Sequence, residues 1–318
     1  MCQIHDKDCA ESSGRTLIIK SANNSFEVYY NRKIVQGGVD VCTYEELAPI
    51  ELWNDSSKLG IALLKYVISS AWRNKIKKYD RIIIFNYYGR SVVLPILLLK
   101  KHSARVYFWE WNTLGKVRKN LLIRLIERII PIYTFDPKDA AVNHWYFNQQ
   151  FYFPSNEVSL TNINNKRAFF VGADKGRYSL LAKIKSCLEP LGISCDFWIV
   201  KDATTPCSAK KELIHKNGLA YNEVLDHISK SDILVDIVKE GQEGLTLRAL
   251  EAFFYGKKII TNNDSIKKIK LYNPSRILIL DSDFTSERLY SFINSNFLPY
   301  SKEELKEFSF YRWINRFH

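Results

Sequence analysis

Residues 231–263 read SDILVDIVKEGQEGLTLRALEAFFYGKKIITNN. The run opens on a short apolar stretch, 233–237, predicted as a buried strand. A polar loop with two glycines follows over 238–244. Residues 245–254 repeat their apolar positions at helical spacing and stop just before Gly256, a suitable residue to follow a helix C-terminus. Residues 258–261 return as a second apolar run, so the order is strand, loop, helix, strand. In an open α/β sheet, ligands sit beyond the carboxyl ends of the strands, where loops meet helix N-termini. That places Glu243, Gly244, Leu245 and Thr246 where backbone N–H groups and the helix dipole can hold a diphosphate. Gly244 lets the backbone approach an anion closely, and Thr246 adds a hydroxyl.

Glu243 and Glu251 stand eight positions apart, roughly on one helix face. One carboxylate can then reach a sugar while the other accepts both hydroxyls of a ribose, since a carboxylate takes two hydrogen bonds at once. The plain alternative makes Glu243 a loop charge and Glu251 a solvated helix residue.

Outward from this stretch the same alternation covers the chain. In the first half, strands are predicted at 16–20, 81–85, 105–109 and 132–135, with weaker ones at 151–153 and 159–160. Helical patterns lie between them at 58–77, 91–101 and 117–130. Residues 161–166, TNINNK, are polar and aperiodic and precede a strong strand at 168–171. The second half continues with strands at 197–200, 233–237, 258–261 and 276–280, and helices at 179–189, 221–229, 245–254 and 285–293. Short apolar runs alternating with amphipathic stretches indicate α/β units with parallel sheets. The predicted domains are 1–163 and 164–299. Residues 300–318 form a terminal helix that either crosses back to the first domain or caps the second.

At 318 residues, 46% of them hydrophobic, the chain can bury two ordinary cores. Its formal net charge is +12. Residues 1–160 hold 22 Lys and Arg against 15 Asp and Glu, and the remainder 24 against 19. No basic tail stands out, and the diffuse positive field suits anionic partners in general. No RNA-binding motif accompanies it, which disfavours a nucleic-acid role. The six cysteines form no Cys-x-x-Cys pair and have no His at zinc-ligand spacing, so free thiols in a reducing compartment and no metal site are expected. The first fifteen residues carry acidic groups and no apolar run, unlike a signal peptide. The apolar stretches 92–99 and 121–132 are too short or too charged to span a bilayer. A cytoplasmic location is expected.

The run Gln242-x-Gly244-Leu245-Thr246-x-Arg248-x-x-Glu251, followed by Lys257 to Asn263, resembles the donor-domain motif of bacterial lipopolysaccharide and capsular oligosaccharide transferases. Residues 169–177, FFVGADKGR, are similar to the first strand and turn of that family's nucleotide-binding domain. The two motifs occur in the family's order, some 70 residues apart. The resemblance implies a GT-B fold, two Rossmann-like domains facing across a cleft. It also implies a nucleotide-sugar donor, glycosyl transfer and no obligatory metal or cofactor. Lys175 and Arg177 then face the donor diphosphate, Gly172 and Gly176 shape the turn, and Gly172 and Asp174 count among the donor-binding candidates. Position 240 departs from the pattern, being Glu where this loop often has proline.

Three strand ends in the first half carry polar and aromatic clusters: Asn86-Tyr87-Tyr88-Gly89-Arg90, Trp109-Glu110-Trp111-Asn112 and Phe135-Asp136. Asn24 follows the first strand. Aromatics stack on sugars, Arg90 can meet a phosphate, and Glu110 or Asp136 can take a proton from an acceptor hydroxyl. Candidate acceptor contacts are therefore Asn24, Tyr88, Arg90, Trp111 and Asn112, and candidate catalytic groups Glu110, Asp136 and Glu243. Against this, Trp109 and Trp111 can simply be core, and Asp136 before Pro137 makes a good helix N-cap. These segments and the length look similar to enterobacterial lipopolysaccharide core transferases, the core rhamnosyltransferases in particular. That likeness implies a lipid-linked acceptor such as lipopolysaccharide core, at the inner face of the membrane. Residues 115–130 set five basic residues against one Glu beside an apolar stripe, which suits either core packing or an anionic membrane surface. A nucleotide-binding protein of this fold without catalysis is the alternative. A dehydrogenase is disfavoured, because no Gly-x-Gly-x-x-Gly follows a predicted strand. Stereochemistry and the donor sugar stay open.

Overall fold

The strongest apolar runs of the sequence become the strands of two parallel sheets. The computed structural model describes residues 14–48, 68–86, 90–115, 121–153, 166–281 and 284–318. The chain divides into two compact units. The first comprises Met1–Asn112 and Val117–Thr134, the second Thr113–Lys116 and Phe135–His318. The boundary expected between 163 and 164 falls outside the described residues.

In the first unit β1 (Thr16–Lys20), β2 (Asp40–Thr43), β3 (Arg81–Phe85), β4 (Arg105–Glu110) and β5 (Ile132–Thr134) run parallel in the order β2-β1-β3-β4-β5. This is a doubly wound order whose direction reverses between β1 and β3. Strands such as β3, RIIIF, are buried along nearly their whole length. A parallel strand covered by helices on both faces has no need of alternating polar positions. The helices are α1 (Ser25–Gln36), the four-residue α2 (Tyr44–Leu47) and α3 (Ser70–Arg73), α4 (Arg90–Leu99) and α5 (Leu121–Ile129). The helix predicted over 58–77 lies outside the described residues up to 67. Beyond that point the chain forms only α3 and a single 3-10 turn.

Helix α1 was not predicted, although its start is written in the sequence. Asn24 caps it, its side chain accepting the Glu27 N–H at 3.0 Å. The Glu27 carboxylate reaches back to the Asn23 N–H at 2.9 Å, the logic of a capping box shifted by one residue.

The second unit begins with α6 (Pro137–Asn143), capped by Asp136, and the two-residue β6 (Tyr146–Phe147). Then come β7 (Arg167–Ala173), α7 (Tyr178–Leu188), β8 (Ser194–Val200), β9 (Ile214–His215), α8 (Tyr221–Ser229), β10 (Ile233–Asp236), α9 (Leu247–Phe254), β11 (Lys258–Thr261), β12 (Ile277–Ile279) and α10 (Ser286–Asn294). Its sheet has the order β12-β11-β10-β7-β8-β9, all parallel. Numbered within the unit this is 3-2-1-4-5-6, and the direction reverses between β7 and β10. Leu181, Ile184, Phe197, Ile233, Val235 and Leu289 are among the buried residues of its core.

Residues 301–318 differ from the single helix expected. Two serines start two short helices instead, α11 (Lys302–Leu305) and α12 (Phe310–Ile314). Ser301 closes a capping box with Glu304, and Ser309 accepts the Arg312 N–H. The segment packs within the second unit. Tyr152 N donates to the Phe308 carbonyl at 2.8 Å, and the Phe151 and Trp313 rings lie 4.3 Å apart.

Among the described residues no helix is long and apolar enough to cross a membrane. The described cysteines, Cys42, Cys187, Cys195 and Cys207, carry free thiols.

Candidate functional site

The switch in strand direction between β7 and β10 brings the two sequence motifs together. One connection, Asp174 to Arg177, leaves β7, and the other, Ile237 to Thr246, leaves β10. A direct bond joins them, since Arg177 Nη1 donates to the Ile237 carbonyl at 2.8 Å.

The first connection is a tight turn. Lys175 and Gly176 both hold positive φ, 50° and 77°, and Arg177 N returns to the Asp174 carbonyl at 2.9 Å. Glycine takes this conformation freely, and Lys175 is held in it from outside. Its N–H donates to Asp202 Oδ2 at 2.8 Å, and the Gly176 N–H to Thr204 Oγ1 at 2.7 Å. The Lys175 side chain is exposed. Asp174 is fully buried and its Oδ1 accepts the Tyr178 N–H at 2.8 Å, at the start of α7. Arg177 does not stand out in solvent as expected. Its guanidinium donates to the backbone carbonyls of Ala173, Asp174 and Ile237 and stacks 5.2 Å from the Phe170 ring centre. It is a clamp on both connections.

The second connection starts with a turn. Gln242 N donates to the Lys239 carbonyl at 3.2 Å, and Gly241 sits third in the turn with φ 81°. A type II turn asks for that geometry and tolerates most residues in second place, where proline is common. Glu240 therefore fills the proline-like position without diverting the chain.

Asn262 and Asn263, at the end of β11, hold the loop next. Asn262 accepts the Val238 N–H at 2.8 Å and donates to its carbonyl at 3.1 Å. Asn263 Nδ2 lies 3.3 Å from each of the Glu243 and Gly244 carbonyls. Asp136 holds the other side, its Oδ2 accepting the N–H groups of Glu243 and Gly244 at 2.8 and 2.9 Å. The close approach that Gly244 permits is therefore to Phe135 and Asp136. A Cβ there would stand 2.6 Å from the Phe135 carbonyl oxygen. Asp136 itself is fully buried and also accepts the Lys138 and Asp139 N–H groups. Its carboxylate ties the loop to the start of α6.

Thr246 caps α9. Its hydroxyl accepts the Ala249 N–H at 3.0 Å and donates to Asp236 Oδ2 at 2.8 Å. Burial pushes the Asp236 carboxyl up to about 6, against the pull of the Thr246 hydrogen bond and of Arg248 and Arg177. Leu245 is buried and Gln242 half-buried. The Glu243 side chain is 37% exposed and its Oε2 lies 3.8 Å from Lys268 Nζ. Lys268, on the turn after β11, was not singled out in the sequence; one lysine in a lysine-rich run carries no pattern.

Glu251 is not solvated. It is 0% exposed, its Oε1 accepts the Tyr221 hydroxyl at 2.8 Å, and its Oε2 lies 2.5 Å from Arg248 Nη1. Burial raises its pKa, opposed by Arg248 and Tyr221. A ribose diol would have to displace one of these partners.

In the first unit, at the ends of β1, β3 and β4, Asn24 is engaged in the α1 cap and Glu110 is fully buried. Asn86, at φ 56°, accepts the Trp111 N–H at 3.2 Å and lies 3.5 Å from Asn112 Nδ2. The Trp111 ring packs edge-on to Phe26 and Tyr30, at 5.7 and 5.2 Å, while Asn112 is exposed. Arg90 begins α4, and Tyr88 lies outside the described residues. Lys20, also missed in the sequence, is buried at the end of β1, where burial lowers its pKa to about 8.

No protein-family model matches the sequence, and no curated protein matches it either. Solved structures do match. AviGT4, a glycosyltransferase involved in avilamycin A biosynthesis, superposes with a TM-score of 0.58 at 10% identity, covering 95% of this chain and 96% of its own. Anabaena HepE in complex with UDP-glucose gives 0.50 at 11% identity, over 89% of both chains. Its complex with UDP gives 0.51 at 10% identity, over 88% of this chain and 89% of that one. At such identities the likeness speaks for architecture. Two doubly wound parallel α/β units, matched over most of the chain, make this a GT-B fold.

Proposed function

We propose that the protein is a glycosyltransferase whose second unit holds a nucleotide-sugar donor at the β7–β10 switch point. The observation that carries this is the Arg177–Ile237 bond joining the two loops beside an exposed cation, Lys175, where a doubly wound sheet binds nucleotides. HepE was solved with UDP-glucose and with UDP, which supports a ligand of that class. Lys175 meets the diphosphate as a point charge. The N–H groups of Leu247 and Arg248, in the first turn of α9, have no acceptor within the helix and are the donors for the same diphosphate. Gln242 and Glu243 contact the sugar.

In the transfer, an acceptor hydroxyl attacks the anomeric carbon, the bond from that carbon to the diphosphate oxygen breaks, and the nucleoside diphosphate leaves. The hydroxyl proton passes to a carboxylate, for which Glu243, 37% exposed in the loop before α9, is the candidate. Charge on the leaving diphosphate is met by Lys175 and backbone N–H groups, so no metal or cofactor is required.

The finer reading is a lipopolysaccharide core acceptor, with rhamnosyl transfer as the reaction. Helix α5 supports work at a membrane surface. Leu125 and Ile129, one turn apart, are 45% and 66% exposed within a basic stretch, which suits peripheral docking on an anionic inner face from the cytoplasm. The test is a panel of nucleoside diphosphate sugars with and without lipopolysaccharide core acceptors. Transfer with release of nucleoside diphosphate supports the proposal. Binding without transfer to any acceptor marks a non-catalytic protein, and no binding at all refutes the donor site.

A further inference from the structure

We infer that Asp136 is a positioning residue that sets the donor loop, an inference that rests on the donor-site reading above. Its buried carboxylate takes four backbone N–H groups. Oδ1 accepts those of Lys138 and Asp139 at 2.9 and 3.1 Å, and Oδ2 those of Glu243 and Gly244 at 2.8 and 2.9 Å.

The loop from Val238 to Gly244 belongs to neither strand nor helix, so its backbone groups need partners from elsewhere. Asn262 and Asn263 satisfy one side of it. Asp136 supplies the other side, with the only charged acceptor described in contact with the loop backbone. Two successive N–H groups converging on one oxygen form an anion-binding arrangement. Here that arrangement is filled by the protein's own carboxylate. A phosphate is thereby kept off residues 243–244 and directed to the first turn of α9, whose register Asp236 fixes through Thr246.

The neighbouring Asp139 acts alike on another loop. It accepts the N–H groups of Leu114 and Gly115 at 2.7 and 3.0 Å, and Lys239 Nζ reaches the Thr113 carbonyl at 2.9 Å. The first turn of α6 thus holds two loops of the second unit in one arrangement, and Asp136 is the link to the donor side.

A positioning group and a catalytic base are told apart by where a substitution acts. In Asp136→Ala, amide exchange at residues 243 and 244 accelerates about 10–100-fold, the scale of a charge-assisted hydrogen bond, while β7 and β10 keep their protection. Titration with nucleoside diphosphate shows a Kd raised about tenfold or more, and KM for the donor rises with it. At saturating donor kcat stays within about twofold and its pH profile is unchanged. Asp136→Asn keeps one acceptor oxygen and recovers part of the affinity; it also carries the test if the alanine variant does not fold. Unchanged exchange at residues 243 and 244, in the alanine variant or in asparagine standing in for it, overturns the inference. So does a collapse of kcat with loss of the acid limb of its pH profile at unchanged Kd. If the wild-type protein binds no nucleoside diphosphate, the functional proposal fails, while the exchange measurement still decides whether Asp136 holds the loop.

Discussion

Gly244→Ala adds a single methyl group at the tightest point of the loop between β10 and α9. The new Cβ would sit 2.6 Å from both Phe135 Cδ2 and the Phe135 carbonyl oxygen. A ring can yield, but a backbone carbonyl at the start of α6 yields only if the helix cap moves with it. Overpacking of this kind costs about 1–3 kcal/mol. Moving the residue 244 N–H away from Asp136 adds the loss of a bond to a charged acceptor, about 1.5–3 kcal/mol. The two costs share one displacement and do not add fully, so the expected total is about 2–4 kcal/mol. For a unit of this size that lowers Tm by about 5–15 °C. Gly218→Ala is the control, because its Cβ meets only Val200 Cγ2, at 3.9 Å; its effect should stay within about 0.5 kcal/mol. Thermal and urea unfolding of wild type and both variants measure the difference. Equal melting of the two alanine variants would refute the account of how the loop is packed.

Arg177→Ala removes the fork that joins the two connections and should lower stability by about 2 kcal/mol or more, at the scale of hydrogen bonds to charged groups; Arg177→Lys should not restore it, since an ammonium lacks the planar fork. Glu251→Ala leaves Arg248 without its carboxylate in a buried setting and should cost about 3–5 kcal/mol, read by urea unfolding. For Asp236 the sign follows from a folded pKa of about 6 against an ordinary 3.8. Well below pH 3.8 both states are protonated. As pH rises from about 4 to 6 the unfolded chain ionises first, and the folded state loses stability relative to it. Asp236→Asn should therefore gain on wild type across that window, by at most about 3 kcal/mol, in unfolding curves taken at several pH values.

The strands were legible because a parallel strand buried on both faces is a continuous apolar run, as in RIIIF at 81–85 and ILVD at 233–236. The strand, loop, helix, strand order of residues 231–263 was legible because two apolar runs bracket a loop with glycines and a helical repeat. What sequence could not convey was where the polar groups of that motif point. Arg177 carries the charge expected of a phosphate contact, yet its donors meet carbonyls of the protein, one of them 60 residues away. Asp136 announces itself as a cap through the proline that follows. Its second pair of N–H groups lies 107 and 108 residues further on, and no local pattern encodes that. Glu251 was expected to accept a ribose diol, with a solvated helix residue as the plain alternative, but α9 is buried from Ala249 to Phe254, and the Tyr221 hydroxyl reaches it from another helix. Helix α1 was overlooked for the opposite reason. Its polar surface hides the apolar spacing of Phe26, Tyr30 and Ile34, and only the Asn24–Glu27 pair marks where it starts.

In the proposed function the β7–β10 switch point holds the diphosphate of a nucleotide sugar, with Lys175 as its exposed cation. Calorimetric titration of wild type and Lys175→Ala with a nucleoside diphosphate decides between occupancy and its absence. Wild type should show saturable one-site binding, and the variant should lose about 1.5–3 kcal/mol, roughly 10–100-fold in Kd, with Tm unchanged because the side chain is exposed. Equal affinity in the two proteins, or no binding to wild type by any nucleoside diphosphate tried, would contradict it.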